Sequence, residues 1–420
     1  MNVPKLRFKE FNDEYNALKL SDVAELTSSK RIYLSDYTDN GIPFYRGKEI
    51  SELKLNKPVS DLLYISDEKY KEIEAKYGVP KENDILVTGV GTLGNIYRIP
   101  NNNKFYFKDG NLIWLKNIKQ NSEYLEYNLE FNKKKLLDSA IGSTQKALTI
   151  AGLNKLSFYY PSTSEQTKVA RTMQLIDIKI NLQSKKIEDL KLFKKGLIYN
   201  EKRNNNSWNE YKISDIMNIT RGTVIPKTEI SECINNEFKY PVYSSQTSNN
   251  GILGYDNKYD FNGKFLTWTT DGANAGKVFY REGKFRCTNV CGILYNKDNR
   301  YVSELTAELL NIETPKYVSY VGNPKLMNNV MSNIIIKLPD PSRDYFFSSI
   351  LKIINKKLTI EEEKFDKLFE LKKGLMQNMF VWFRIIFCYH NLLYKVIINY
   401  IITYILTLSF FTLTFNLFTI

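Results

Sequence analysis

A heptad-spaced apolar series occurs two times in this chain, and the two copies share their irregularities. The first runs Met173, Ile176, Ile180, Gln183, Ile187, Leu190, Lys194, Leu197. The second runs Leu351, Ile354, Leu358, Glu361, Phe365, Leu368, Lys372, Leu375, at an offset of 178 residues. Alternating steps of three and four set one face of a helix against a neighbour. The polar interruptions fall on the same steps, Gln183 with Glu361 and Lys194 with Lys372, and both series end on Lys-Lys-Gly-Leu. Matching defects point to duplication rather than to two unrelated amphipathic helices. A chain with duplicated halves, each with a long helix, predicts a pseudo-twofold molecule suited to a pseudo-twofold target. Duplex DNA is the commonest of these.

The stretches before each helix also correspond. Tyr15–Thr27 and Glu210–Thr220 share a Leu/Ile-Ser-Asp-Val/Ile core, in which Ser21 and Asp22, or Ser214 and Asp215, can cap a short helix after a strand. IPFYRG at 42–47 resembles YPVYSS at 240–245. DILVTGVGTLGNIYRI at 84–99 resembles KFLTWTTDGANAGKVFY at 264–280, matching Thr88 to Thr270 and Gly94 to Gly276. A Gly-polar loop follows in each copy, from Gly142 and from Gly322, and a last strand ends at Pro161 or Pro339. In the first copy Ser162 with Glu165, and Thr163 with Gln166, have capping-box spacing. Each helix is expected to run about 36 residues, roughly 54 Å.

The expected organisation is therefore α+β. A first globular domain covers 1–164, its helix 165–200, a second domain 201–340 and its helix 341–381. The linker Glu201–Ser207 marks the join, and 382–420 is a hydrophobic tail outside the repeat.

Composition narrows the function. The formal net charge is +13, with lysines spread along the body, which favours a polyanionic partner. The only histidine is His390, so residues 1–381 hold no His-based triad, metal site or general base. Four cysteines and no signal-like start predict a cytoplasmic protein. Cys287 and Cys291 are expected as buried thiols on one strand face, because no further ligands complete a zinc site.

Two glycine patterns mislead. Gly89, Gly91 and Gly94 spell GxGxxG, but the following NIYRI favours strand over helix, so a dinucleotide site is not expected. Gly272, Gly276 and Lys277 resemble a P-loop one residue short, with Val278 where a metal-binding hydroxyl belongs. No catalytic constellation is expected in the body.

Together these features resemble the DNA-specificity subunit of type I restriction–modification systems, over about residues 1–381. The most specific stretch is Pro161–Tyr199, with Glu165-Gln166, the heptad helix and Lys194-Lys195-Gly196-Leu197. The strand–glycine–strand segments around Gly94 and Gly276 are a second hallmark. The second copy departs after its proline, where Pro339–Asp344 replaces the Glu-Gln pair. The resemblance implies two target-recognition domains that each read half of a split double-stranded DNA sequence, with the two long helices packed as an antiparallel coiled coil whose length sets the gap. It implies no catalysis and no cofactor in this chain. The implied partners are two adenine-modification subunits, which use S-adenosylmethionine, and restriction subunits, which use ATP and Mg. The outer helix faces would meet the modification subunits, with Lys194 and Lys372 at the end of the seam beside a partner.

Base readout needs Arg, Lys, Asn, Gln, Ser or Thr on loops that enter the major groove. In the first copy the candidates are Arg46, Lys48, Thr88, Thr92 and Asn95. In the second they are Ser245, Gln246, Thr270, Asp271, Asn274 and Lys277. Gln145, Lys146 and Lys325 are expected at phosphates.

The tail at 382–420 has no acidic residue, and Val396–Ile420 has no charge at all. It is long enough for a bilayer span, but its Phe, Ile, Leu, Asn and Tyr content reads best as translation past a lost stop into AT-rich sequence. The alternatives from other classes are a membrane-tethered interaction protein and a self-contained methyltransferase–endonuclease with unrecognised motifs.

Overall fold

The computed structural model describes residues 3–55, 57–143, 145–203, 208–296 and 298–381, with Ser248 through its backbone alone. The hydrophobic tail lies outside the described residues. No described helix is long and apolar enough to cross a membrane. Two compact units divide the described chain. Unit one takes the residues up to Arg171 and those from Gly374 onward, and unit two takes Thr172–Lys373.

Unit one begins with a strand, Asn16–Lys19, that pairs antiparallel with the closing strand Ser157–Tyr160. The Ser-Asp motif forms the short helix Leu20–Val23, where the Asp22 carboxylate accepts from the Lys19 amide. Two four-stranded sheets follow. In the first the order is Glu25–Thr27, Leu112–Lys116, Ile85–Thr88, Ile96–Arg98. Its central strand Ile85–Thr88 is buried at every position, which suits an unbroken apolar run rather than an alternating one. The second sheet sets Ile42–Tyr45 antiparallel to Leu63–Ile65 and parallel to Tyr106–Phe107.

Unit two repeats this scheme with a different join. Asn209–Lys212 pairs with Ile335–Leu338, as the opening and closing strands do in unit one. Tyr240–Tyr243 again has one antiparallel and one parallel neighbour. Here, however, a single ten-residue strand, Val278–Cys287, spans both halves and fuses them into one six-stranded sheet. In unit one the corresponding path is cut into Ile96–Arg98 and Tyr106–Phe107. Pro100 and three asparagines lie in that gap, and a residue without an N–H followed by turn formers ends the ladder.

Both misleading glycine patterns sit between antiparallel strands, Ile85–Thr88 with Ile96–Arg98 and Phe261–Thr269 with Val278–Cys287. Neither opens a helix, as the residues after them required. Cys287 and Cys291 are buried as expected, but not on one strand face. They end one strand and begin the next, across a tight turn closed by the Cys291 amide on the Thr288 carbonyl.

The two long helices are Thr163–Arg203 and Pro341–Met379. The first starts without the expected capping box. Glu165 and Gln166 turn inward instead, Glu165 to Arg7 and Tyr15, and Gln166 to the Asn121 amide and the Pro161 carbonyl. Within unit two the helices run antiparallel. Gln183 meets Glu361, while Lys194, further along the first helix, meets Asn355, earlier on the second. Ile187, Ile354 and Leu358 form the seam core, with Leu190, Leu197, Ile350 and Phe365 packed on it. Met173, Ile176, Leu351 and Leu375 are also buried, and Ile180 and Leu368 half-buried, so every apolar position of both series leaves water. Full burial of one such side chain contributes about 1.5–3 kcal/mol, which is what holds helices this long together.

The polar interruptions of the seam face one another. Gln183 Nε2 donates to Glu361 Oε2 at 2.7 Å and to the Glu361 carbonyl at 2.8 Å. These residues are equivalent in the repeat, so the pair marks the internal pseudo-twofold axis of the helix pair. The contacts to either side obey that axis. Lys194 Nζ reaches Asn355 Oδ1 at 2.7 Å, and Lys372 Nζ reaches Asp177 Oδ1 at 2.6 Å. Lys194 also pairs with Glu308 at 2.5 Å. Each ammonium is held by acceptors of its own chain, so neither lysine depends on a partner subunit to satisfy its charge.

Candidate nucleic-acid interface

Each unit closes one end of its sheet with the same lattice of loop hydrogen bonds. In unit one, Thr88 N donates to Asn95 O at 2.9 Å and Gly94 N donates to Thr88 O at 2.8 Å. Gly89 N donates to Asn111 O at 2.8 Å, and Gly89 O accepts from Leu148 N at 2.9 Å. In unit two, Thr269 N donates to Lys277 O at 3.0 Å and Gly276 N donates to Thr269 O at 2.8 Å. Thr270 N donates to Val290 O at 3.0 Å, and Thr270 O accepts from Leu326 N at 2.9 Å. Gly94 and Gly276 therefore match, as the sequence indicated. Thr88 matches Thr269 rather than Thr270, because the loop of unit two is one residue longer.

Both matched glycines need their residue type. Gly94 has φ +68° and Gly276 φ +86°. A Cβ at Gly94 would come within 3.2 Å of Leu137, and one at Gly276 within 3.0 Å of Val318. The Gly-polar loops are small hairpins, closed by reciprocal bonds between Ile141 and Ala147 and between Ser319 and Lys325. Through Leu148 and Leu326 each hairpin docks on the glycine loop of its own unit. The sequence candidates at 88–95 and 145–146, and those at 270–277 and 325, are thus brought together within each unit.

Several candidates have structural duties in the free chain. Thr88 is buried, accepting from Asn95 N at 2.8 Å and donating to the Thr92 carbonyl, so in the free chain its hydroxyl closes the loop. Thr270 is also buried, its Oγ1 donating to Asp271 Oδ2 at 2.6 Å. Asn95 is clamped by Ser51 at 2.8 Å and Lys133 at 3.2 Å. At the start of the helix Gly47–Lys54 the Glu49 carboxylate accepts from the Arg46 amide at 2.8 Å and from its guanidinium at 2.5 Å, and the guanidinium also pairs with Asp61 at 2.8 Å. Those carboxylates hold its guanidinium in the charged form. Gln246 donates to the Ile252 carbonyl, and Ser245 beside it is half-buried. Lys277 lies over Phe279, its ring centroid 5.9 Å away.

Thr92, Gln145, Lys146, Asn274, Lys325 and Lys48 are exposed on the surface. Lys48 lies 4.0 Å from Glu52 on its own helix. Asp271 accepts two hydrogen bonds and faces a more distant ammonium. Thr270 Oγ1 is 2.6 Å away, Arg221 Nη2 3.4 Å and Lys325 Nζ 3.9 Å. Arg221 was not a sequence candidate. The available signal was its place at the end of the strand after the Ser-Asp motif, where unit one has Ser28. Among the described residues no group of three or more His, Cys, Asp or Glu could hold a metal ion.

The fold and loops define a class: a duplicated protein of two α+β units that share one loop scheme, with two long helices. The type I restriction modification DNA specificity domain matches residues 12–192 and 205–370, most of the chain, and this chain belongs to that family. It is 47% identical over 125 residues to the N-terminus of a putative type I specificity subunit of Mycoplasma pneumoniae. A second putative type I specificity subunit of that organism is 42% identical over 146 residues. These stretches are 30% and 34% of this chain, and they span 65% and 39% of the relatives, under two thirds of either. The crystal structure of a type I restriction-modification S subunit from M. genitalium shares the fold. Its TM-score is 0.68 at 15% identity, over 91% of this chain and all of that one.

Proposed function

We propose that this chain is the sequence-reading subunit of a type I restriction–modification complex. Each unit reads one half of a split double-stranded DNA target, and the helix pair sets the gap between the halves. The chain itself does no chemistry and holds no cofactor. Two adenine-modification subunits, which use S-adenosylmethionine, dock on the helix pair, and restriction subunits using ATP and Mg complete the complex. The setting is cytoplasmic. The observation that carries this reading is the repeated loop lattice, which keeps one backbone scheme in both units while the side chains at its edge differ, as Ser28 and Arg221 do. A common frame with different reading residues is what two different half-sites require. A net charge of +13 supports a polyanionic ligand. Outward apolar residues on the helices, among them Leu182, Leu192, Phe193 and Phe369, supply surface for the modification subunits.

Co-expression with a modification subunit, followed by mapping of N6-methyladenine, tests the proposal. One split motif with a fixed gap is expected. Methylation without a split motif, or none with an active partner, would overturn it.

A further inference from the structure

The geometry points to Arg221 as the residue that reads a guanine in the half-site served by unit two. This assignment rests on the reading of the chain as a sequence-recognition subunit. Arg221 is the last residue of the strand Asn218–Arg221, opposite Gly292 in an antiparallel ladder. The next residue leaves the strand through a passage that only glycine fits. A Cβ on Gly222 would lie 2.3 Å from the carbonyl oxygens of Cys287 and Thr288. The Gly222 amide is tied to the Cys291 carbonyl at 3.0 Å. Arg221 is therefore carried on rigid backbone, which a reading residue needs if its donors are to meet a base edge in fixed register.

The guanidinium is held by one corner. Nη2 donates to Thr270 Oγ1 at 3.0 Å and to Asp271 Oδ2 at 3.4 Å. The side chain remains 36% exposed. Both anchoring bonds run through Nη2 to acceptors only 2.6 Å apart, which can share one N–H, and Nε is buried without a hydrogen-bond partner, so Nη1 and the second N–H of Nη2 are the fork left to meet a base. That fork matches the O6 and N7 acceptors of guanine. The neighbouring carboxylate decides between a base and a phosphate. Asp271 offsets the charge of Arg221, which weakens it as a phosphate clamp but leaves its donors directed. Base edges are neutral and need donors in place more than net charge. Lys325, at the far side of Asp271 and more than half exposed, is the cation suited to a phosphate. Asp271 and Thr270 are then positioning residues for Arg221 rather than readers.

The test uses the full chain in complex with its modification subunit, acting on a randomised DNA library. N6-methyladenine is then mapped. The wild-type complex is expected to methylate a split motif with a fixed guanine in one half-site. Arg221→Ala is expected to relax that single position, with discrimination falling about 5- to 150-fold, while the other half-site stays strict. Asp271→Asn should relax the same position by less. Arg221→Lys keeps the cation without the fork, so it should also relax the guanine with unchanged salt dependence, and it guards against misfolding of the alanine variant. Uniform loss at all sites with a strict motif would make Arg221 a phosphate contact and overturn the assignment. A wild-type complex with no split motif would sink the reading of the chain itself, and that outcome needs no variant to be seen.

Discussion

Arg343 of the second long helix is ion-paired with Glu201, Nη2 to Oε2 at 3.0 Å, at the position where unit one joins Glu165 to Arg7. The pair is the same and the charges are exchanged. Glu165 and Arg343 occupy equivalent sites at the start of the two helices, and Arg7 and Glu201 precede the opening strand of their units. The sequence departure at Arg343-Asp344 is thus compensated within its own unit. Unit two keeps the link between helix start and domain entry with reversed polarity.

The unit-one pair is the more enclosed, with Glu165 1% and Arg7 14% exposed. Arg7→Ala is expected to destabilise unit one by about 3 kcal/mol, at the low end for a broken buried pair because Tyr15 still donates to Glu165. In unit two, Glu201→Arg alone should lower the melting temperature, and Glu201→Arg with Arg343→Glu should restore it. Thermal melts of the three variants check this.

Glu361 gives the helix pair an acid-sensitive centre. Hydrogen bonds from Gln183 and Lys186 pull its pKa from 4.5 to about 2. A depressed carboxylate contributes stability that is complete above the unfolded value and is lost as pH falls toward the folded one. Stability should therefore decline between about pH 4.5 and about pH 2 in the wild type, and less in Glu361→Gln. Urea unfolding across that range reads the difference.

Asp344 behaves in the opposite sense. Burial raises its pKa from 3.8 to about 6, against a hydrogen bond from Ser303 that lowers it. The folded state favours the neutral acid, so the contribution is complete below 3.8 and is lost as pH climbs to about 6. Asp344→Asn should match the wild type in acid and exceed it at neutral pH by up to about 3 kcal/mol. Equal stabilities at neutral pH would count against this account.

Lys194 is a seam residue satisfied by its own chain. Lys194→Met strands Glu308 and Asn355, and should cost unit two about 1–2 kcal/mol. A gain in stability on denaturant titration would mean that the apolar replacement outweighs these bonds.

The matched glycines allow each reading loop to be disturbed alone. Gly276→Ala puts a methyl against Val318 and Thr314 at a positive φ, and should cost about 1–3 kcal/mol. Within the proposed function, it should blur one half-site and Gly94→Ala the other, as read by methylation mapping.

The helices were legible because their signal is local. A three–four alternation over eight positions names the buried face without knowledge of the partner, and a shared interruption identifies the repeat. The opening and closing strands, and Gly94 with Gly276, were legible for the same reason. The loop edges were not. One inserted residue moved the match of Thr88 from Thr270 to Thr269, and only the hydrogen-bond register shows it. Thr88 and Asn95 have the composition of base readers, yet they are used to close their own turn. Arg221 carries no local signal, because its partners, Thr270 and Asp271, lie 49 and 50 residues away.

The sequence by itself determined the duplication, the α+β class, the seam of the helix pair and the absence of histidine chemistry from residues 1–381. Each follows from periodicity or residue type, which act over a few neighbouring positions. The tertiary structure alone decided which polar side chains are engaged and which face water. It brought Arg7 to Glu165 across 158 positions of chain, turned Gln183 onto Glu361 at the axis of the pair, and set Arg221 beside Asp271. Hydrogen bonds and ion pairs depend on distances of about 3 Å, and only the folded chain fixes those between residues so far apart.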